Sequence, residues 1–171
     1  MFNRLLKESD VIKYKDDLYS MYQTNRLVLD SQNPLDLSNR DNIINFILPY
    51  ITSSDSMVMG IFDDNEQYLY GIIIFDNIRY DDKNSCAQVH IVNDKTIFGK
   101  KVGNIYQDIM NTVPFTTLYC EIPAIAVHAI GVCKRAGFKK TGYIPLALPY
   151  ENIKGEEKLY DLQIFTWRKE N

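Results

Sequence analysis

The sequence predicts a mixed α/β fold, an α+β sheet flanked by helices, in the order α-α-β-β-β-α-β-α-β-β. Three observations carry that prediction. Two apolar stripes at helical spacing precede any strong strand, and runs of β-branched and aromatic residues follow them. The stretch from Leu118 to Tyr143, LYCEIPAIAVHAIGVCKRAGFKKTGY, then reads as strand, short helix, Gly-Phe stop and strand.

The elements follow from the residues in order. Val11, Tyr14, Leu18, Met21 and Tyr22 recur on one helical face behind Ser9-Asp10, which can cap a first turn, so 10–24 is predicted as an amphipathic helix. After the polar stretch DSQNPLDLSNR, Ser38 and Asp41 precede Ile43, Ile44, Phe46 and Ile47, a second helix that Pro49 should end or kink. Residues 57–63 and 68–80 are strand-like runs joined by Asp63-Asp64-Asn65-Glu66 as a hairpin. In 86–93, Ala87, Val89 and Ile91 alternate with Gln88, His90 and Val92, giving a third antiparallel strand. Val102, Ile105, Tyr106, Ile109, Met110 and Val113 give the clearest helical period in the chain, stopped by Pro114. Residues 116–122 form a strand, 124–136 an almost wholly apolar helix predicted to be buried, with Gly137 as its C-cap. Strands near 139–147 and at 158–168, joined by ENIKGEE, complete the order.

With 46% hydrophobic and 24% charged side chains, 171 residues suit one domain with a real core. The net charge is −3 and the basic residues are scattered, which argues against nucleic acid or an anionic membrane as a partner. The opening MFNRLLKESD has no apolar h-region, and no window reaches the roughly 20 apolar residues that span a bilayer. A cytoplasmic protein is expected. Cys86, Cys120 and Cys133 are an odd number at spacings that match no zinc pattern, so they read as reduced thiols. His90 and His128, without an HxxxH or CxxC motif, predict no metal site.

The element order resembles the GCN5-related N-acetyltransferase (GNAT) superfamily across nearly the whole chain, taken as a single domain over 1–171. The family's small phage-encoded members are similar in His90-Ile91, Ile122-Pro123, Gly137-Phe138 and the step from Gly142 to Pro145. In that family a mostly antiparallel sheet contains a central parallel pair, and acetyl-CoA lies where the pair splays. The resemblance therefore implies 86–93 as the cofactor strand, with Ile91 and the backbone N–H groups near Val92 at the thioester. It implies 99–112 as the pyrophosphate helix, 116–122 as the splayed neighbour and 124–136 as the helix beside the thioester.

The family's phosphate motif is Arg or Gln, two residues, Gly, one residue, then Gly or Ala. Ended on Gly103, it puts Phe98 in place of Arg or Gln and Lys101 in place of the first Gly, with Gly99, Lys100 and Val102 inside the loop. Small residues and helix N–H groups suit a diphosphate, and the two lysines add charge toward it. Without the family, Gly99 to Gly103 is a flexible helix start with solvated lysines. The tyrosine that commonly protonates the leaving thiolate, five residues before the Phe of Gly-Phe, falls on Cys133, and the helix's usual Asn falls on Ala126. A thiol can donate that proton, or simply pack; Tyr143 or Tyr150 can replace the missing acid. For the base that takes a proton from the amine, His90 and then Glu121 are the candidates, each with a plain packing or surface alternative.

Two functions follow. One is an acetyl-CoA-dependent N-acetyltransferase acting by direct attack of a small-molecule or protein amine. The other is a catalytically inactive GNAT-fold binding or assembly protein with a protein partner or a second copy of itself, such as an accessory or structural part of a phage particle, in the host cytoplasm or the virion. The departures at Phe98, Lys101, Ala126 and Cys133, a degenerate active site, favour the second.

Overall fold

In the computed structural model, which describes residues 1–25, 35–81, 84–94, 102–151 and 157–169, every strand joins one seven-stranded sheet. The elements are β1 (Phe2–Leu5), α1 (Glu8–Lys13), α2 (Lys15–Thr24), α3 (Asn42–Thr52), β2 (Met57–Phe62), β3 (Leu69–Tyr80), β4 (Ser85–Asn93), α4 (Val102–Thr112), β5 (Thr117–Pro123), α5 (Val127–Arg135), β6 (Lys139–Glu151) and β7 (Glu157–Arg168). The strand order is β1-β2-β3-β4-β5-β7-β6. Among the described strands only β4 and β5 run parallel; the other neighbours are antiparallel.

Alternation along the strands sends side chains to two cores, one on each face. Ile72 and Ile74 of β3 pack with Val11, Leu18 and Met21 of the first helices and with Ile43 and Ile47 of α3. Ile73 and Phe75 pack on the other face with Tyr106, Ile109 and Met110 of α4 and Cys133 of α5. A sheet covered on both faces explains why β3 reads as an almost unbroken apolar run rather than an alternating one.

Four expectations need correction. β1 was absent from the predicted order: it is a four-residue edge strand whose burial alternates between half-buried and exposed, too short and polar for a period-2 signal. The first helix begins at Glu8 and breaks at Tyr14, and its start is capped by Asp10, whose carboxylate accepts the Lys7 N–H at 2.8 Å, rather than by Ser9. Pro49 does not end its helix: α3 runs on to Thr52, because a proline in the last turn forfeits a single N–H bond, and its carbonyl accepts the Ser53 N–H at 3.0 Å. The helix predicted as buried over 124–136 spans Val127–Arg135 and is largely open, with Val127 70% exposed and Cys133 its buried residue.

The stop of α5 is as predicted. Gly137 sits at φ 91°, its N–H bonds Lys134 O at 3.1 Å, and the Phe138 N–H bonds Cys133 O at 3.1 Å. This pair of bonds is a Schellman ending, which needs the left-handed conformation that glycine adopts without a Cβ penalty. Among the described residues no helix is long and apolar enough to cross a membrane.

β1 is fastened by charge. The Arg4 guanidinium holds both Asp10 oxygens, at 2.6 and 3.0 Å, reaches Glu66 at 3.0 Å and lies 4.3 Å over the Phe62 ring. The bidentate Arg4 contact, foremost, holds the buried Asp10 carboxyl below the ordinary carboxylate range, with the Lys7 N–H adding to it. A depressed carboxyl stabilises the fold above its unfolded pKa of about 3.9, and that stabilisation is lost as pH falls toward the lower folded value. Asp10→Asn should therefore cost about 1–3 kcal/mol at pH 7. In urea melts the variant and the parent should converge below pH 4, where the parent's carboxyl is being protonated.

Candidate active site

The centre of the sheet is open. β4 and β5 pair at Cys86 with Thr117, Ala87 with Leu118 and Gln88 with Tyr119, and there the pairing stops. Beyond that rung β4 keeps its outer partner β3, through Ile91 with Ile73 and Val92 with Ile72. β5 keeps β7, through Cys120 with Phe165 and Glu121 with Ile164. The two strands thus diverge with their inner backbone edges facing across a gap. The last rung is fixed by side chains: Gln88 Oε1 accepts from Asn77 Nδ2 at 2.9 Å and from the Tyr119 hydroxyl at 3.3 Å.

On the face covered by the first three helices the gap widens into a cavity of about 290 Å³. Its helical wall is aromatic, made by Tyr22 of α2 and by Phe46 and Tyr50 of α3. These rings stack edge to face, with centroids 5.5 Å apart for Tyr22–Phe46 and 5.8 Å for Phe46–Tyr50. Its floor is polar, and follows from period-2 alternation: Asp76 of β3, Gln88 and His90 of β4, and Glu121 of β5 all point to this face. Burial pushes the Tyr22 phenol well above its ordinary range, so it stays a hydroxyl.

His90 and Asp76 form a pair. His90 Nε2 lies 3.2 Å from both Asp76 oxygens, with the imidazole 35% and the carboxylate 19% exposed. An ionised carboxylate only accepts, so Nε2 carries the proton toward it and Nδ1 of the neutral ring keeps a lone pair. A bulge follows Asp76 at once: Asn77 adopts φ 49°, and the β3–β4 register shifts between Asp76 and Arg79. Bulges beside sites re-aim side chains, and this one also delivers Asn77 to Gln88.

No protein-family model and no curated protein matches the sequence. Solved structures match its shape. The spermidine N-acetyltransferase from Vibrio cholerae, in complex with CoA and spermine, is similar at TM-score 0.69 and 14% identity, over 98% of this chain and 95% of that one. The ribosomal L7/L12 alpha-N-protein acetyltransferase, in complex with coenzyme A and joined to it by a cysteine disulfide, is similar at TM-score 0.71 and 16% identity, over 98% and 93%. An acetyltransferase of the GNAT family from Bacillus anthracis gives 0.69 and 13%, over 97% and 93%. The chain has the GNAT fold.

The GNAT fold distributes the expected site residues unevenly. His90 and Glu121 meet at one cavity, joined by Val92. Ile91 alternates to the other face and packs against the α4 core. Phe98, Gly99, Lys100 and Lys101 lie outside the described residues, and Val102 and Gly103 open α4. Cys133 is buried on the opposite face, its Sγ 3.3 Å from Cys120 Sγ. That contact first, and burial second, push the Cys133 thiol far up. Tyr143 of β6 is 62% exposed and does not line the cavity, and Lys140 Nζ sits 5.7 Å from its ring. His128 is exposed on α5.

Sequence reasoning missed Asp76 and the three rings. Asp76 had a signal: an acid inside a β-branched run either costs desolvation or has a partner. Tyr22 and Phe46 had none, since an aromatic at helical spacing reads as core. The thiols give a direct check on this geometry. In a native-state titration with an aromatic disulfide reagent, the half-buried Cys86 should react, and Cys120 and Cys133 only after denaturant is added.

Proposed function

We propose that this chain is an N-acetyltransferase that moves acetyl from acetyl-CoA to an amine by direct attack, working as one domain in the cytoplasm. The observation that carries the proposal is the meeting of the His90–Asp76 pair and Glu121 at the point where β4 and β5 part. The fit to the cofactor rests on that parting. An inner strand edge with no strand opposite offers amide donors and acceptors to an extended, amide-bearing arm, and the thioester such an arm brings supplies the acetyl group. Residues 99–103, of which Val102 and Gly103 open α4, are the ones we assign to its diphosphate.

The chain's own residues manage the protons. An amine reaches the cavity as ammonium and must lose a proton before its lone pair can form the new C–N bond. His90 takes that proton at Nδ1, and Asp76 stabilises the imidazolium that results. Glu121, on the other arm of the gap, holds the ammonium in place beforehand. When the C–S bond breaks, the sulfur needs a proton. That proton balances the second one the nitrogen loses as the amide forms; Cys133, buried against Cys120 with its thiol held far up, is a poor donor for it, and Tyr143 does not line the cavity.

A thermal-shift titration with acetyl-CoA and with free coenzyme A tests the cofactor. At about a hundredfold excess over Kd a specific site adds ~2.7 kcal/mol, or roughly 5–10 °C at this chain length. His90→Ala should keep that shift and lower kcat by about 10²–10⁴-fold, the usual worth of a general base, when coenzyme A release is followed. No shift at millimolar cofactor would favour the inactive binding protein. One observation points that way: Tyr143, Ile144, Leu146 and Leu159 are all exposed on the β6–β7 hairpin.

A further inference from the structure

We infer that Cys120 and Cys133 form a modification site, a thiol pair that hydrogen peroxide converts to a disulfide fastening α5 to β5. The inference stands on the fold and does not rest on the acetyltransferase reading.

The two thiols come from different elements and meet. Cys120 is the first β5 residue past the last β4–β5 rung, and Cys133 is the buried residue of α5. Their sulfurs lie 3.3 Å apart, so they have little more than an ångström to close before reaching the ~2.05 Å of a disulfide. Both backbones are held in place. Cys120 is laddered to Phe165 of β7, and the Cys133 carbonyl accepts the Phe138 N–H in the ending of α5. Alternation keeps Cys86 out of the pair: Ala87 packs in the α4 core with Cys120, so Cys86 faces the other side of the sheet.

Exposure selects the oxidant. Cys120 is 8% and Cys133 4% exposed, which admits contact by a peroxide molecule and bars a bulky aromatic disulfide. Cys120 attacks first, because it has the larger opening and because Cys133 keeps its proton, held by the Cys120 contact foremost and then by burial. The Cys120 thiolate bonds to one peroxide oxygen, the O–O bond breaks, and the departing hydroxide leaves as water with the proton that the thiol gave up. The Cys133 sulfur then attacks the sulfenic acid on Cys120. The S–S bond forms, the S–O bond breaks, and a second water carries off the Cys133 proton. Two thiols and one hydrogen peroxide thus give one disulfide and two waters, the sulfurs oxidised and the peroxide oxygens reduced. A dithiol reductant reverses the change by exchange.

The bond changes what holds α5. This helix is largely open and buries Cys133, so packing at that one side chain gives way to a covalent tie with the strand that carries Glu121.

The test uses the full chain with Cys86→Ser, folded and reduced, then exposed to hydrogen peroxide before the remaining thiols are alkylated. Trypsin leaves both cysteines in one peptide, Val102 to Lys134. That peptide should lose two hydrogens, should stay one linked species after cleavage at Glu121, and should part on reduction. Amide exchange along α5 should slow at least tenfold in the oxidised chain. With Cys133→Ser added, the sulfenic acid on Cys120 should persist and be trapped by a cyclic 1,3-dione on unfolding. Should that variant fail to fold, the linkage map of the Cys86→Ser chain decides alone. Two alkylated cysteines at unchanged mass overturn the inference, as does a link that forms only in denaturant. A linked peptide with unchanged exchange along α5 overturns the fastening.

Discussion

The site depends on the way the sheet is allowed to come apart at its middle. A parallel pair that separates after three rungs exposes backbone groups that would normally be bonded, and such groups are costly unless something satisfies them. The cost is tolerable here because neither strand is loose. β4 is laddered to β3 and β5 to β7 along the divergent stretch, and each strand is pinned by side chains on the α4 face, Val89 on one side of the gap and Ile122 on the other. The opening is therefore a rigid feature set by two intact half-sheets. The polar floor is a consequence of the same arrangement: residues that would have been buried by a continuous sheet and its helices are given a solvent-connected volume instead.

Most of the fold was legible because its signals are local. Period 3.6 in Val102 to Val113, period 2 in 86–93, and the Gly-Phe stop after α5 each record a constraint that acts within a dozen residues. The misreadings share a different cause. β1 exists because Arg4 finds Asp10 and Glu66 and because Phe2 stacks on Phe62 at 5.6 Å, and none of those contacts has a period. The exposure of α5 was hidden by composition, since an apolar helix was assumed to have apolar neighbours all round. Pro49 was read by its chemistry alone, without its place in the final turn.

The site was legible in part. His90 and Glu121 stood out because titratable residues are rare in strand-like runs, and each fell on a strand bordering the gap. Their relation to one another did not follow from sequence, because it depends on which strands are neighbours. Asp76 reaches His90 only through the antiparallel register that sets Ile74 opposite His90 and Asp76 opposite Gln88. The aromatic wall is less accessible still to sequence reasoning. Tyr22 and Phe46 obey the same helical spacing as true core residues, and the difference is whether anything fills the space in front of them. The position assigned to the leaving-group acid is instructive in another sense: Cys133 lies next to a second thiol, Cys120, that has no counterpart in the motif used to find it.

The sheet order has a consequence for how the protein is made. β7 is inserted between β5 and β6, so the last of the described strands in chain order occupies an interior place in the sheet. Until it is synthesised, β5 has only its short parallel contact with β4, and β6 has no neighbour to lie against. Chains fold as they emerge, N-terminal parts first, and long-range strand pairing is slow. The nascent chain can thus assemble β1 to β4 with their helices as a partly finished platform, bearing His90 and Asp76. The arm carrying Glu121 must wait. Completion of the pocket waits on β7, and the unfinished edge of β4 is the surface a chaperone would have to protect in the interval.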